Sequence, residues 1–595
     1  MGSPQSIAAG HEKLSLSLSQ HEVWLDQRAW PDSTHLNIGG GAFLKGRLNL
    51  PLFRQALAHL VAENDALRLA PCADGSQLLL AQVVPVLEIV DLSKLPDPIE
   101  AIRGWWQRRI REPFALNGLP PWRFALLHAG EDLHGLTIQF HHLVMDGWGT
   151  SRVMQRWSEI YNALQASSEL LPLGEPGYRQ FIEESNSYRQ SGAFERDADY
   201  WRAQIAALPV PLIARQYATA GAAQLPPSRL SVQRISRADY AHLEQCANGL
   251  GATPFNYFLA ALILYFARVN HCQDVVIGIP SLNRGGRRFK STLGMFVGVL
   301  ALQVRIEPGM TARELLGAAA SALRGALRHP RYPLSELGRS LQLIRSGRDG
   351  LFDVLLSFER QDYDVSFGDA RLLDSRQLFS GTARYPLGVT VCEFHPQQDL
   401  ELVLDASSAC FAAGEAELLG RRLWHLVESF MARPDERIED LGILPPEEQW
   451  ALIEGLHKDI ACHEVTQPYI ALFEHQVALR PEAIALVWDG GSVDYAALDR
   501  RATRLAGRLT ALGVAHGAIV ALAIARSPDM VLALLAIAKA GAAFLPLDID
   551  APVARLAEIL KESDAAALLI QAPGDERLTP LHRCTVLIDW EDSSP

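Results

Sequence analysis

The stretch HGLTIQFHHLVMDGWGT, residues 134–150, contains the pattern on which the interpretation of the whole chain depends. It begins with apolar residues that alternate with smaller or polar ones, which predicts a half-buried strand ending at two adjacent histidines. A helix is predicted to follow, with Thr150 or Ser151 as its N-cap, because apolar residues then recur at helical spacing: Val153, Met154, Trp157, Ile160, Tyr161 and Leu164. The His-His-x-x-x-Asp-Gly segment therefore lies on a strand-to-helix loop, where a rigid scaffold often holds functional groups.

The residue types in this loop allow three kinds of role. Adjacent residues at a strand end point to opposite faces, so one of His141 and His142 is expected to face a cavity and the other the packed interior. Gly147 would let a substrate approach the backbone closely. A metal site is disfavoured because the two histidines diverge and no further His/Cys cluster lies nearby. A structural loop and general acid–base catalysis both remain open at this point, since local chemistry does not separate them.

Length and composition describe a globular protein with several domains. The chain has 595 residues, a formal net charge of −13 and 48% hydrophobic residues. An acidic balance argues against a nucleic-acid backbone as the main partner. The seven cysteines form no CxxC pair, the N-terminal residues lack the apolar core of a secretory signal, and no apolar run reads as a membrane span. A cytoplasmic location is expected.

Three zones follow one another along the chain, and all of them predict an α/β fold. Strand and helix patterns alternate over about 14–165, and a second mixed zone runs to about 445. A charged, proline-rich joint follows, and the zone from about 465 has the order helix, strand, helix, strand. No internal repeat or low-complexity tract is apparent.

A set of ordered motifs resembles condensation domains of nonribosomal peptide synthetases, members of the chloramphenicol-acetyltransferase-like superfamily with its HHxxxDG signature. The resemblance covers about 14–450. Its blocks, in family order around HHLVMDG, are LSLSQHEVWLDQ, ENDALRL, PPWRFALL, GYRQFIEE, FERDADYW, IGIPSLNR, LGMFVGVLAL, RHPRYPLSEL and LFDVLLSF. The ENDALRL block departs from the common Arg-His-Glu-x-Leu-Arg pattern and keeps only Leu67 and Arg68.

The resemblance implies two acetyltransferase-like lobes that form a V, with a tunnel entered from opposite faces by donor and acceptor phosphopantetheine arms. The N-terminal lobe is assigned to residues 14–170, the C-terminal lobe to 171–445 and a linker to 446–466. Residues 467–595 resemble the N-terminal portion of an adenylation domain through VDYAALDRRATRLAGRL and IAKAGAAFLPLDIDAPVARLAEIL. The Gly/Ser/Thr-rich phosphate loop does not follow them, so no amino-acid activation is expected. No carrier domain is visible.

The family's site residues carry over onto the loop quoted above. The resemblance implies that His142, the second histidine, positions or deprotonates the attacking amine, with His141 beside it in the motif. Asp146 resembles a structural aspartate that pairs with an arginine of the other lobe, here Arg284; alternatively, it only caps its own turn. Gly147 would lie beside the acceptor arm.

The starter type of condensation domain is favoured over the elongating type. The first block begins about a dozen residues from Met1, and several blocks look like starter variants. A starter domain would N-acylate an aminoacyl thioester on a downstream carrier protein, with acyl-CoA or an acyl carrier protein as donor. Candidate contacts for CoA phosphates are Arg287, Arg288 and Lys290, unless they form a solvated basic loop.

Other functions are kept as alternatives. They are an elongating condensation domain supplied in trans, an epimerisation domain, a free small-molecule acyltransferase and a non-catalytic docking domain. The adenylation fragment directly after the condensation blocks argues against the free acyltransferase, and the intact motif argues against a degenerate docking domain.

Overall fold

A computed structural model of the chain describes residues 11–173, 176–216, 224–286, 288–360, 364–395, 397–458 and 467–590. Contacts divide the chain into two units, Met1–Ile453 and Glu454–Pro595. Strands and helices alternate in both units, so the predicted α/β class is confirmed.

The described residues in the first part of the larger unit form seven strands, four α-helices and a short 3-10 helix at Asp65–Arg68. They are β1 His11–Ser15, α1 Leu18–Ala29, β2 Asn37–Lys45, α2 Leu50–Glu63, β3 Leu69–Pro71, β4 Ser76–Leu80, β5 Leu87–Asp91, α3 Pro98–Ile110, β6 Trp122–His128, β7 Leu133–His141 and α4 Gly147–Ala166. Helix α2 begins as its sequence predicts, because the Asn49 side chain accepts from the Leu52 N–H and proline occupies the first turn.

From residue 176 onward, the described residues of this unit form eight strands and eight α-helices, of which the last, α12, continues past the unit boundary at Ile453. They are α5 Tyr178–Arg189, α6 Gly192–Gln204, β8 Ser228–Ile235, α7 Arg237–Gly249, α8 Pro254–Asn270, β9 Asp274–Ser281, β10 Gly298–Arg305, α9 Ala312–Ala326, α10 Leu334–Ser340, β11 Val354–Arg360, β12 Ser366–Phe367, β13 Ala370–Gln377, β14 Leu387–Glu393, β15 Leu400–Ser407, α11 Glu415–Ala432 and α12 Pro446–Lys458. The apolar helix α8 is buried through most of its length, which explains its continuous hydrophobic sequence.

Two six-stranded sheets organise this unit, and one chain segment crosses between them. The first sheet has the order β12-β13-β2-β7-β6-β5 and the second the order β10-β9-β11-β14-β15-β8. Each sheet packs its own hydrophobic core. Strands β12 and β13 lie within residues 171–445, the range predicted for the C-terminal lobe, but they belong to the first sheet. The strands of the first sheet are therefore not contiguous in sequence.

The smaller unit contains a parallel four-stranded sheet in the order β19-β18-β20-β21 and a two-stranded ladder of β16 and β17. Its elements are α13 Tyr469–Leu479, β16 Ile484–Trp488, β17 Gly491–Asp494, α14 Tyr495–Ala511, β18 Ile519–Ala523, α15 Pro528–Lys539, β19 Ala543–Pro546, α16 Val553–Glu562, β20 Ala567–Gln571 and β21 Thr585–Ile588. The parallel pairing agrees with the strand–helix alternation of the sequence.

No single helix in the part of the chain that the structure describes is long and apolar enough to cross a membrane. Arg237–Gly249 and Pro254–Asn270 meet the length and composition criteria only as a pair, and they are bent by 90° relative to each other.

Candidate active site

Strand β7 and helix α4 hold the two ends of the HHLVMDG loop. The strand ends at His141, and the helix begins at Gly147 with Asp146 as its N-cap. The predicted cap at Thr150 or Ser151 is therefore wrong by about one turn. The physical reason is that the Asp146 carboxylate Oδ1 accepts the Gly149 N–H at 2.7 Å, so the helix starts earlier than its apolar stripe.

His141 points into packed protein. The residue is 1% exposed; its Nδ1 accepts the Leu143 N–H at 3.1 Å, and its Nε2 lies 2.9 Å from Gln27 Oε1. Because Nδ1 is an acceptor, the proton lies on Nε2 and is donated to Gln27. Burial lowers the pKa of His141 to about 3, and the neighbouring histidines His142 and His35 act in the same direction. The ring is therefore neutral, and its contacts hold the loop.

His142 points the opposite way and lines a cavity, as the alternation along a strand predicts. The residue is half-buried; its backbone N–H donates to Leu36 O at 2.8 Å, and its Nδ1 lies 3.3 Å from Met295 Sδ. Burial lowers the pKa of His142, while the negative charge of Asp146 opposes that shift. A neutral imidazole at this position can accept a proton from a group bound in the cavity.

Asp146 and Arg284 form a buried ion pair beneath the loop. Their side chains are 0% and 4% exposed, and Arg284 Nη2 lies 2.7 Å from Asp146 Oδ1 and 3.0 Å from Oδ2. Arg284 Nη1 also donates to the carbonyls of Phe289 and Thr292. The carboxylate thus accepts bonds from the arginine and from the helix N-terminus, so the two roles considered for Asp146 occur together.

The same ion pair holds the segment that carries Met295 against the loop. The Phe296 N–H donates to Asp146 Oδ2 at 3.1 Å, and the Asp146 N–H donates to Gly294 O at 3.2 Å. Tyr178 donates its hydroxyl to Met295 O at 2.5 Å. Because the backbone on both sides of Met295 is bound, its thioether is held against the His142 ring.

A second polar cluster fixes the loop on which Leu36 lies. Asp26 contacts His35 Nε2 at 3.1 Å and Arg384 Nε at 2.6 Å. Burial acts to raise the pKa of Asp26, but His35 and Arg384 hold it below its ordinary value. Gln27 donates to the backbone carbonyls of the same loop. The loop of Leu36, whose carbonyl accepts the His142 N–H, is thus anchored by the ion pair between Asp26 and Arg384.

The cavity beside His142 has a volume of about 110 Å³ and lies along the first sheet. Gly147 lines it together with His142, so the structure brings these two predicted site residues to one place. Apolar or small lining residues are Ile38, Gly39, Gly40, Gly41, Ala42, Leu136, Ile138, Met154, Leu372 and Phe394. Polar lining residues are Thr150, Glu359, Ser375, Arg376 and Gln377.

Of the three predicted basic contacts, Arg288 and Lys290 are not among the described residues that line the cavity. Arg288 is exposed and pairs with Glu184 at 2.7 Å. Lys290 has an exposed side chain, and its backbone oxygen accepts from the Trp148 indole at 3.0 Å, which ties this loop to the start of α4. Arg287 lies outside the described residues.

Sequence reasoning missed several residues of this site, including Met295, Glu359, Ser375 and Gln377. Burial raises the pKa of the Glu359 carboxyl to about 7. Met295 lies inside the quoted block LGMFVGVLAL, so its position was available but its contact was not. The run of three glycines in β2 was a usable signal, because small residues inside a strand often mark a close approach or a cavity.

Comparison with protein-family models identifies a condensation domain over residues 11–453 and an AMP-binding enzyme over 473–593. A dimodular nonribosomal peptide synthase of Bacillus subtilis is 28% identical over 565 residues, covering 93% of this chain and 23% of that protein. One of the plipastatin synthase subunits of the same species is 29% identical over 569 residues, which cover 94% of this chain and 22% of that protein. The chain thus spans less than a quarter of the length of these relatives.

Solved structures agree with this assignment. A starter condensation domain variant of rhizomide synthetase in complex with C8-CoA is 26% identical, with a TM-score of 0.65 over 72% of this chain and 97% of that one. Another variant, in complex with C8-CoA and Leu-SNAC, is 25% identical, with a TM-score of 0.65 over 73% of this chain and 98% of that one. A four-domain nonribosomal peptide synthetase shares the fold over 100% of this chain and 45% of that one, at 20% identity and a TM-score of 0.73. The chain therefore belongs to the condensation domain family of nonribosomal peptide synthetases and continues into a partial AMP-binding domain.

Proposed function

We propose that this chain acts as a starter condensation domain, which transfers an acyl group from acyl-CoA to the amino group of an aminoacyl thioester on a carrier protein. The observation that carries the proposal is the His142 imidazole, held neutral in the wall of a largely apolar cavity. Rhizomide synthetase starter domains, whose structures contain C8-CoA, match nearly their whole length to this chain.

His142 is assigned to the attacking amine. Its Nδ1 faces the weakly accepting thioether of Met295, so a proton on Nδ1 leaves the Nε2 lone pair for the substrate. The amine nitrogen bonds to the thioester carbonyl carbon, the C–S bond breaks, and the thiol leaves with the proton that the amine gives up. Asp146 acts as a positioning residue, since it contacts Arg284 and the helix N-terminus.

The basic loop after β9 is assigned to the CoA phosphates. Arg287, Arg288 and Lys290 follow β9 in the sequence, and the Trp148 indole donates to the backbone oxygen of Lys290. Replacing Arg288 and Lys290 by alanine is expected to raise KM for octanoyl-CoA. KM for octanoyl-N-acetylcysteamine, which lacks the phosphates, would stay the same, and an equal rise for both donors would contradict the assignment.

The central experiment incubates the chain with a series of acyl-CoAs and an aminoacyl-loaded downstream carrier protein, then weighs the carrier. Addition of one acyl group from acyl-CoA supports the starter role. Transfer only from a peptidyl or aminoacyl carrier would replace it with the elongating role. An inverted α-carbon without acylation would mean epimerisation, and no reaction with any donor would favour a docking role.

The remaining assignments concern the complete synthetase. The partners are the downstream carrier domain, with its phosphopantetheine arm, and the rest of the adenylation domain; an acyl carrier protein is a second possible donor. The adenylation fragment is expected not to activate amino acids. ATP–pyrophosphate exchange with this chain would contradict that expectation.

A further inference from the structure

Strand β13 gives the cavity a polar wall. Ser375 and Gln377 are two positions apart, so they share one face of the strand, and both line the cavity. Antiparallel pairing places Ser375 opposite Ala42 and Gln377 opposite Gly40, which line the same cavity. Because these partners on β2 are small, the polar groups of β13 remain accessible to a molecule bound in the cavity.

The Ser375 hydroxyl belongs to a chain of three polar side chains. Ser375 Oγ lies 3.0 Å from His395 Nε2, and His395 Nδ1 lies 3.1 Å from Asp364 Oδ1. Because the Asp364 carboxylate accepts, the His395 proton lies on Nδ1, and Nε2 accepts from the serine hydroxyl. A serine bonded to a histidine that is oriented by an aspartate is the arrangement by which hydrolases activate a serine nucleophile.

The histidine of this chain is held in place from outside the cavity. Its side chain is 10% exposed, and Arg237 Nη2 donates to the His395 backbone oxygen at 3.0 Å. Arg237 Nη1 also donates to Glu393 Oε1 at 2.9 Å, so the end of β14 is tied to the residues that follow it. Asp364 precedes β12, whereas Ser375 lies on β13. The three groups thus converge from separate segments, and a catalytic triad is recognised by such geometry and not by its order in the sequence.

We propose that this cavity has a second activity, the hydrolysis of acyl thioesters, with Ser375 as the nucleophile and His395 as the general base. Ser375 Oγ bonds to the thioester carbonyl carbon and gives its proton to His395 Nε2. The C–S bond breaks, and the thiol leaves with that proton. Water then adds its hydroxyl to the acyl carbon, the bond from this carbon to Ser375 Oγ breaks, and the second proton of the water returns to the serine through His395.

Two further residues support these steps. Asp364 is a positioning residue, because its contact with Nδ1 directs His395 Nε2 at the serine. The side-chain amide of Gln377 can donate to the carbonyl oxygen that becomes negatively charged. The inference goes beyond the proposed transfer to an amine, since the acyl group here passes to water. His142 and Ser375 line the same cavity, so the two reactions would compete for one bound thioester.

The test measures the release of CoA and octanoic acid from octanoyl-CoA without any carrier protein. The wild type should release both in equal amounts, and Ser375→Ala and His395→Gln should each lower the rate by about 100-fold or more. Asp364→Asn should lower kcat and leave KM unchanged, because Asp364 acts through His395 and not on the substrate. Ser187→Ala, at an exposed serine of α5, is the matched control and should keep the wild-type rate.

A fluorophosphonate probe tests the nucleophile independently of the acyl chain. It bonds to an activated serine oxygen with loss of fluoride, so peptide mass spectrometry should place the adduct on Ser375. His395→Gln should lower the rate of labelling at this residue by about 100-fold or more. Thermal melting of each variant shows that the change is not due to unfolding. Labelling of other serines at the same rate as Ser375 would contradict the inference.

The outcomes separate this inference from the proposed function. Acylation of a carrier by a protein that neither hydrolyses octanoyl-CoA nor is labelled at Ser375 would overturn the inference and leave the starter role intact. Hydrolysis that persists in Ser375→Ala and is lost in His142→Ala would mean that His142 activates water, which also overturns it. Hydrolysis that depends on Ser375, without transfer to any carrier, would support the inference and remove the starter role.

Discussion

The Asp146–Arg284 pair offers the sharpest test of how the loop is held. We consider Asp146→Ala, Arg284→Met and the double variant. The first removes the two contacts to Arg284, the cap on Gly149 and the acceptor for Phe296 N–H. It leaves a buried guanidinium whose remaining partners are two carbonyls and the face of the Phe296 ring. The second leaves a buried carboxylate that still has two backbone N–H partners.

The expected size of the effect follows from burial. Asp146 and Arg284 are both buried, so solvent cannot compensate the charge that remains. Removing one partner of such a pair costs about 3–5 kcal/mol of the free energy of unfolding. Because the double variant leaves no unpaired charge, it should be about 2–4 kcal/mol more stable than the sum of the single effects predicts.

The assay is urea unfolding followed by hydrogen exchange in peptides that cover 140–160, which report the larger unit only. A matched cycle on Arg305 and Asp274, an ion pair in which both side chains are about half exposed, should give a coupling of less than about 1 kcal/mol. Asp146→Asn, which keeps an acceptor for the Gly149 N–H, should lose less than Asp146→Ala. Additive effects at Asp146 and Arg284 would refute the inference that charge compensation holds the loop.

Further predictions concern the histidines and the glycine run. His142→Ala should lower condensation by about 100-fold or more without changing Tm, as measured by carrier mass and thermal melting; retained activity would remove its role. Because burial lowers the pKa of His142, the step in the kcat/KM profile that depends on this residue should lie below pH 6.5. A step above pH 6.5 that disappears in His142→Ala would contradict this. The pKa of His141 is about 3 in the folded state, so below pH 6.5 the unfolded chain binds a proton that the folded chain does not. The free energy of unfolding should therefore fall with pH, by about 2 kcal/mol at pH 5. In His141→Gln, the free energy of urea unfolding should depend less on pH. Gly41→Ala should cost about 1–3 kcal/mol, since the added Cβ would lie 2.5 Å from the Trp106 ring, whereas Gly40→Ala, whose nearest atom is at 3.4 Å, should unfold like the wild type.

The parts of the site that could be predicted are those encoded within a few residues. Alternation up to Phe140 predicts the strand, and adjacency alone predicts that His141 and His142 diverge. The resemblance supplied Arg284, which no local pattern could pair with Asp146 across more than a hundred residues. The error in the position of the helix cap has the same origin. An aspartate held by a distant arginine begins the helix before its apolar periodicity becomes visible.

The polar wall of the cavity could not be predicted, because β13 pairs with β2 more than three hundred residues away. Its sequence, ARLLDSRQ, is rich in charge and has no regular alternation. The register shift between Leu372 and Asp374 explains this, since it lets Leu372 and Ser375 share a face at an odd spacing. A search for apolar residues at every second position therefore cannot detect this strand.

Strand β13 therefore has two tasks. Its backbone extends the first sheet through the pairing with β2, and Ser375 and Gln377 line the cavity. The cavity-facing side chains do not form the ladder hydrogen bonds, so Gln377 can be exchanged without removing the pairing with β2. Loss of folding in conservative variants at Gln377 would show that the two tasks are not separable.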